Sequence, residues 1–198
     1  MTLSILLVTF ALALPNKQDL RAALTQNRLS DVKSMGAAGY KSLRDISLSE
    51  TEPMEQRWRA TLAMARIGHK ESLVDLELFM KSSTWYMRSA SLLGIALVDP
   101  ELSQRKAKEL LSRDPALLVR ASALQVLSQE KRMDREFLWK ELHNPINFRR
   151  GRSLSLRTSI LQILSQKPLP TEKSKFALLT NDSHPEIKNI SKNVLIRL

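Results

Sequence analysis

Four segments of the chain, RWRATLAMARIG, YMRSASLLGIA, LVRASALQVLS and SLRTSILQILS, lie over one another with an arginine beside the first apolar positions. Those arginines are Arg59, Arg88, Arg120 and Arg157, and Lys188 takes the same place in EIKNISKNVLIRL, so the steps are 29, 32, 37 and 31 residues. Inside each segment the apolar residues recur at three and four residue intervals, as Leu118, Ala121, Ala123, Leu124 and Leu127 do, which sets them along one side of a helix. A period near 30 residues accommodates two short helices with their turns. A helical pair of that size has more apolar surface than it can cover alone, so the units must stack.

The second helix of each pair is visible between the first ones: ESLVDLELFMKS from Glu71, ELSQRKAKELLSR from Glu101, DREFLWKEL from Asp134 and TEKSKFALLT from Thr171. LSDVKSMGAAGYKSLRDISLSE, before Arg59, reads as a degenerate first unit, with GAAG as a turn between two helices. Pro115 suits the first turn of its helix and Asp114 suits the N-cap. Only 5 glycines and 8 prolines in 198 residues also favour helix over sheet. An all-α chain of about five stacked helical hairpins is expected. NVLIRL ends the sequence while still apolar, so the last helix should lie against its predecessor with no obvious polar cap.

DPALLVRASALQVL, from Asp114, carries an acid, a proline, a Val-Arg pair and then Ala and Leu at helical spacing. In these features the chain resembles the HEAT-repeat family, in particular the short HEAT-like repeats of the phycobilin-lyase type. DSHPEIKNISKNVL keeps the acid, Asp182, six residues before Lys188, whereas Ser82, Pro53 and Gly151 stand at that place before Arg88, Arg59 and Arg157. The resemblance covers roughly residues 30–198 and implies a right-handed α-solenoid. It also implies that the repeated basic residues tie adjacent hairpins through loop acids and carbonyls, with an incomplete ladder here.

The apolar run Leu3–Leu14 is too short for a bilayer-spanning helix, which needs about 20 residues. With Ala11-Leu12-Ala13 as small residues for cleavage, residues 1–14 are expected to be a secretory signal, the other reading being an apolar first helix. Residues 15–198 then form the repeat domain, placed outside the cytoplasm, in the periplasm or cell envelope. The chain has no cysteine, which excludes disulfides, thiolate metal sites and cysteine nucleophiles.

The net charge of +11 implies a surface attracted to acidic partners, whether nucleic acid, anionic membrane or envelope polymers, or an acidic protein, and charge alone does not choose among them. From Arg149 onward ten Lys and Arg face three acids, so +7 of that charge lies at the C-terminal end. NPINFRRGRSLSLR makes the longest step between repeats and reads as an extended loop in which Arg149, Arg150 and Arg152 cluster beside Phe148, guanidinium donors next to an aromatic anchor. Lys106, Lys108, Lys140, Lys173 and Lys175 are candidate rim charges of a concave face made by the second helices.

Catalytic chemistry is not indicated. His69, His143 and His184 are each more than a repeat apart, no metal-binding spacing occurs, and the His-Glu pairs that di-iron hydroxylases of HEAT-like build require are missing. No cofactor or metal is expected. Trp58, Trp85 and Trp139 could line a concave groove of the kind used by DNA glycosylases with HEAT-like repeats, but each falls at a helix position that core or inter-repeat packing explains, and packing is their expected role. The expected function is therefore a non-enzymatic scaffold or adaptor that holds an acidic protein. The alternatives are a cytoplasmic nucleic-acid-binding protein and a lyase-type subunit that acts only with a partner.

Overall fold

A computed structural model describes residues 17–26, 28–129 and 133–198. The expected signal, residues 1–14, lies outside the described residues. The chain runs α1 (Lys17–Thr25), α2 (Leu29–Ser34), α3 (Gly36–Leu48), α4 (Met54–Gly68), α5 (Leu73–Phe79), α6 (Trp85–Val98), α7 (Pro100–Arg113), α8 (Leu117–Ser128), α9 (Arg135–Leu142), a hairpin of β1 (Phe148–Arg149) and β2 (Arg152–Ser153), α10 (Ser155–Gln166), α11 (Lys173–Leu179) and α12 (Pro185–Arg197). Among the described residues the protein is all-α apart from that hairpin.

The helices of the repeated motif pack in succession, α4 on α6, α6 on α8, α8 on α10 and α10 on α12. Each has a companion: α3 packs on α4, α5 on α6, α7 on α8, α9 on α10 and α11 on α12. The spacing of apolar residues explains the arrangement. Leu92, Ala123, Leu124, Leu127, Ile160, Leu161 and Leu164 are all buried on the successive helices, and Leu111, Leu138, Leu142 and Phe176 meet them from the companions. At the other end Leu20, Leu24, Val32, Leu43, Ile46, Met64 and Met87 form a second buried cluster that closes the first unit.

Local signals set several helix starts. Asp99 caps α7 by accepting from the Leu102 N–H at 2.9 Å, with Pro100 in the first turn. Asp134 caps α9 through the Phe137 N–H at 3.0 Å. Asp114 departs from the expected pattern. α8 begins at Leu117 with Ala116 as its N-cap, and the Asp114 carboxylate instead accepts from the Ala116 N–H at 2.8 Å and from Arg88. Asp114 stands two residues before that N-cap, so its carboxylate closes a short turn there while it also holds Arg88.

Three other expectations need amending. GAAG is not a turn throughout: only Gly36, at φ +56, makes the junction, and the residues after it wind into α3. The segment before Arg157 is not an extended loop, because a 3-10 turn at Pro145–Asn147 leads into the paired strands. The exposed positions of α12 include Asn189, Lys192 and Asn193 beside the 84% exposed Ile196, so the last helix does carry a largely polar outer face.

Candidate functional site

Phe148 pairs with Ser153 and Arg149 with Arg152 across the hairpin. The two residues between them, Arg150 and Gly151, have φ of 51° and 74°, so both central positions take the left-handed conformation that fits a two-residue turn to twisted strands. Residues opposite one another in such a pair project to the same face. Arg149 and Arg152 therefore share one face and Phe148 and Ser153 the other. Phe148 lies under the Arg157 guanidinium, 4.3 Å from the ring centroid, which turns the apolar face toward the protein. The arginine face is left to water.

The base of the hairpin is rigid. The Leu154 N–H donates to the Asn147 carbonyl at 2.9 Å, and the buried Asn147 amide donates to the Glu141 carbonyl at 2.8 Å. Glu141 is itself buried, accepting from the Ser112 hydroxyl at 2.7 Å and the Asn144 amide at 2.8 Å. Arg149, Arg150 and Arg152 are exposed and have no acid partner among the described residues.

Two features of this tip work against stability. Like charges face each other directly across the strands, and an arginine occupies a left-handed position where glycine or asparagine is favoured. Arg150→Gly should raise stability by about 0.5–1 kcal/mol by removing that conformational strain, and thermal unfolding would show it as a rise of a few degrees. The same change removes one of three cations. A chain that tolerates such a tip is holding charge where folding gains nothing from it.

The repeated basic residues form a connected series. Arg88 holds Asp114 of the next unit through two bonds, of 2.7 and 2.8 Å, and Arg157 holds Asp182 at 2.7 Å. Ser82 and Gly151 stand where the other acids would be. There the guanidiniums turn to neutral acceptors: Arg120 donates to the Ile146 carbonyl at 3.2 Å, and Arg57 to the Tyr86 hydroxyl at 2.8 Å. Arg57, not Arg59, is the α4 residue in this position. It reaches back to the Ser47 carbonyl at 2.9 Å and forward to the next unit, as Arg88, Arg120 and Arg157 do. Arg59 points the other way, onto the Leu24 and Thr25 carbonyls and onto Glu55. With Arg57 as reference the first step becomes 31 residues, nearer the others. Lys188 is half-buried on α12.

Of the rim lysines, three are engaged in bridges between companion helices: Lys106 with Glu77 at 3.2 Å, Lys108 with Asp134 at 2.7 Å and Lys175 with Glu136 at 2.5 Å. The Lys108 ammonium, then the Phe137 N–H, hold the Asp134 carboxyl below its usual range against a small opposing effect of burial. Lys140 and Lys173 are exposed with no acid partner among the described residues, and Lys140 lines a polar cleft with Glu109, Ser112 and Arg113. The five lysines and the hairpin are thus not one patch of free charge.

Trp139 is buried, donating its indole N–H to Glu172 at 2.8 Å and meeting Phe176 edge to face. Trp58 and Trp85 instead both line an open groove of about 510 Å³. The packing role expected of all three therefore describes Trp139, while Trp58 and Trp85 open onto a groove. The histidines sit at helix ends, His69 and His143 as C-caps and His184 as an N-cap. Among the described residues no group of His, Asp and Glu is placed to hold a metal ion, and no helix is long and apolar enough to cross a membrane.

Compared with known proteins, the chain matches no family model, no curated protein and no solved structure.

Proposed function

We propose that the chain is a non-enzymatic adaptor, a HEAT-like α-solenoid of about five hairpins that docks an acidic protein through the Arg149, Arg150 and Arg152 hairpin. The observation that carries this reading is the exposed arginine tip on a braced base, three cations kept where they cost stability and form no ion pair among the described residues. Guanidiniums suit carboxylates because their planar donors meet both oxygens at once. The tip would meet its ligand without first having to order itself, which lowers the entropic cost of association.

Export is part of the proposal. It rests on Leu3–Leu14 and the Ala11-Leu12-Ala13 triplet, with the mature chain in the periplasm or cell envelope and the partner there too. Nucleic acid is the second reading, and the net charge of +11 favours it. A short hairpin bearing three unpaired cations reaches few phosphates, whereas duplex binding that depends on many phosphate contacts weakens steeply with salt.

Fluorescence anisotropy separates the two. A labelled 20-residue polyglutamate and a labelled 20-base-pair duplex are titrated with the protein and with the Arg149→Ala/Arg150→Ala/Arg152→Ala variant. The proposal expects about tenfold weaker polyglutamate binding for the variant, consistent with loss of up to about 1 kcal/mol per exposed charge pair partly offset by other basic residues. Equal binding by both proteins would refute the hairpin's role, and tight duplex binding unaffected by the variant would transfer the function to another surface.

A further inference from the structure

The groove bearing Trp58 and Trp85 is formed by α1, α4 and the start of α6 and shares no lining residue with the hairpin. Trp58, Leu62 and Arg66 are spaced four residues apart on α4, so they form one stripe along the helix. All three line the groove, and Trp85 and Tyr86, from the start of α6, form the facing wall. With Arg57 in register with Arg88, Arg120 and Arg157, the same stripe can be followed through the other helices. The places of Leu62 and Arg66 are taken by Leu93 and Leu97 on α6, by Gln125 and Gln129 on and just after α8, and by Gln162 and Gln166 on α10. Those glutamines are exposed. Water is the ordinary neighbour of this face on α8 and α10, whereas on α4 it carries Trp58 and Leu62 into the groove, beside Leu24 of α1.

The groove walls are fixed in place. Tyr86 accepts from the Arg57 guanidinium at 2.8 Å and packs its ring edge to face with Trp85 at 5.8 Å. Trp85 remains 36% exposed and Met54, at the same mouth, 51% exposed. Charge along the groove is also sorted. Arg59 is neutralised by Glu55 at 2.7 Å and by the end of α1. Arg66, exposed and with no acid partner among the described residues, is the cation left to a ligand. Eight residues separate Trp58 from Arg66, a distance of about 12 Å along a helix.

We infer that this groove binds a peptide segment of a partner protein carrying a bulky apolar side chain and, about 12 Å further along, a carboxylate. The apolar side chain sits between Trp58 and Trp85, and the carboxylate meets Arg66. In an extended peptide that distance is a spacing of four residues, at about 3.3 Å each. The groove recognises an apolar-then-acidic segment, and its site does not depend on the hairpin.

Tryptophan fluorescence of the full chain reads this binding, because Trp58 and Trp85 line the groove while Trp139 is buried elsewhere. The probe is the blocked peptide Ac-Gly-Phe-Ser-Ser-Ser-Glu-Gly-amide, with a lysine-for-glutamate version as control. The glutamate peptide should bind more tightly than the control, by about three- to fivefold for an exposed ion pair. Arg66→Glu, a surface change, should reverse that preference, and Trp58→Ala should weaken both peptides about tenfold or more. The hairpin triple variant should bind both as the native chain does. No fluorescence change at millimolar peptide, or equal binding of the two peptides, would overturn the inference. So would a concentration-dependent dimer abolished by Trp85→Ala, since the groove would then be filled by a second copy.

Discussion

Asp182→Ala should destabilise the protein by about 3–5 kcal/mol, because it leaves a buried guanidinium without its counter-charge. The Arg157 side chain is only 2% exposed and Asp182 12% exposed. Arg157 would keep the Leu142 carbonyl at 2.8 Å and the Phe148 ring, but neither carries a charge. The effect should also appear at the hairpin, since Arg157 is what the apolar face of Phe148 rests against. Thermal unfolding should fall on the order of 10 °C for a chain of this size. A drop of under 1 kcal/mol would show the pair to be a surface bridge in effect.

The pH dependence follows from the same pair. Burial pushes the Asp182 carboxyl up, but the Arg157 bond and the His184 N–H outweigh it and hold the group below its ordinary value. A carboxyl depressed in the folded state contributes stability that is present above its unfolded pKa, about 3.9, and lost as pH falls through the lower folded value. Acid should therefore weaken the native protein more than Asp182→Asn, measured by denaturant unfolding between pH 5 and pH 2.

Glu172→Ala is the second large effect, again about 3–5 kcal/mol. The carboxylate, 6% exposed, accepts from Arg135 Nε at 2.8 Å, from the Trp139 indole at 2.8 Å and from the Leu169 N–H at 3.1 Å. Burial raises its pKa, yet these three donors together bring it below the ordinary value. Removing it leaves a largely buried cation and two N–H groups without acceptors, each costing about 1–3 kcal/mol if water cannot reach it. Glu172→Gln keeps an acceptor in nearly the same place and should cost about half as much. A double-mutant cycle with Arg135→Met isolates the charge pair, and a coupling near zero would show that the indole and backbone bonds carry the stabilisation.

Much of the helical build is legible in the sequence because it rests on periodicity. The segments around Arg88, Arg120 and Arg157 are all helices, and so are the companions beginning near Glu101 and Asp134. What the sequence hides is governed by partners remote along the chain. RWR offers two arginines of equal standing, and only the Ser47 carbonyl and Tyr86 hydroxyl on either side distinguish Arg57 from Arg59. Asp114 looks like a cap beside Pro115, but α8 starts only at Leu117 and the carboxylate is divided between the Ala116 N–H and Arg88, 26 residues earlier. Trp58 and Trp139 both lie on amphipathic helices, and burial alone separates the indole that serves the core from the one that opens onto a groove.

The hairpin is half legible. Its cluster of arginines beside Phe148 and its extra length are plain, while the strand pairing is not, because Arg-Gly is a weak turn signal beside Asn-Gly or Asp-Gly. Pairing changes what the cluster means. In an open loop three arginines spread into water, whereas here Arg149 and Arg152 are opposite one another on one face of a braced ribbon.

The measurement closest to the central claim places a photoreactive amino acid at position 150, and as a control at position 193 on α12, in the protein made by its native cells. Crosslinked adducts are then identified by mass spectrometry, together with the N-terminus of the mature chain. An acidic envelope or secreted protein should be captured from position 150 and not from 193, on a chain lacking residues 1–14. Adducts with nucleic acid, or the same adducts from both positions on a chain that keeps Met1, would contradict the claim.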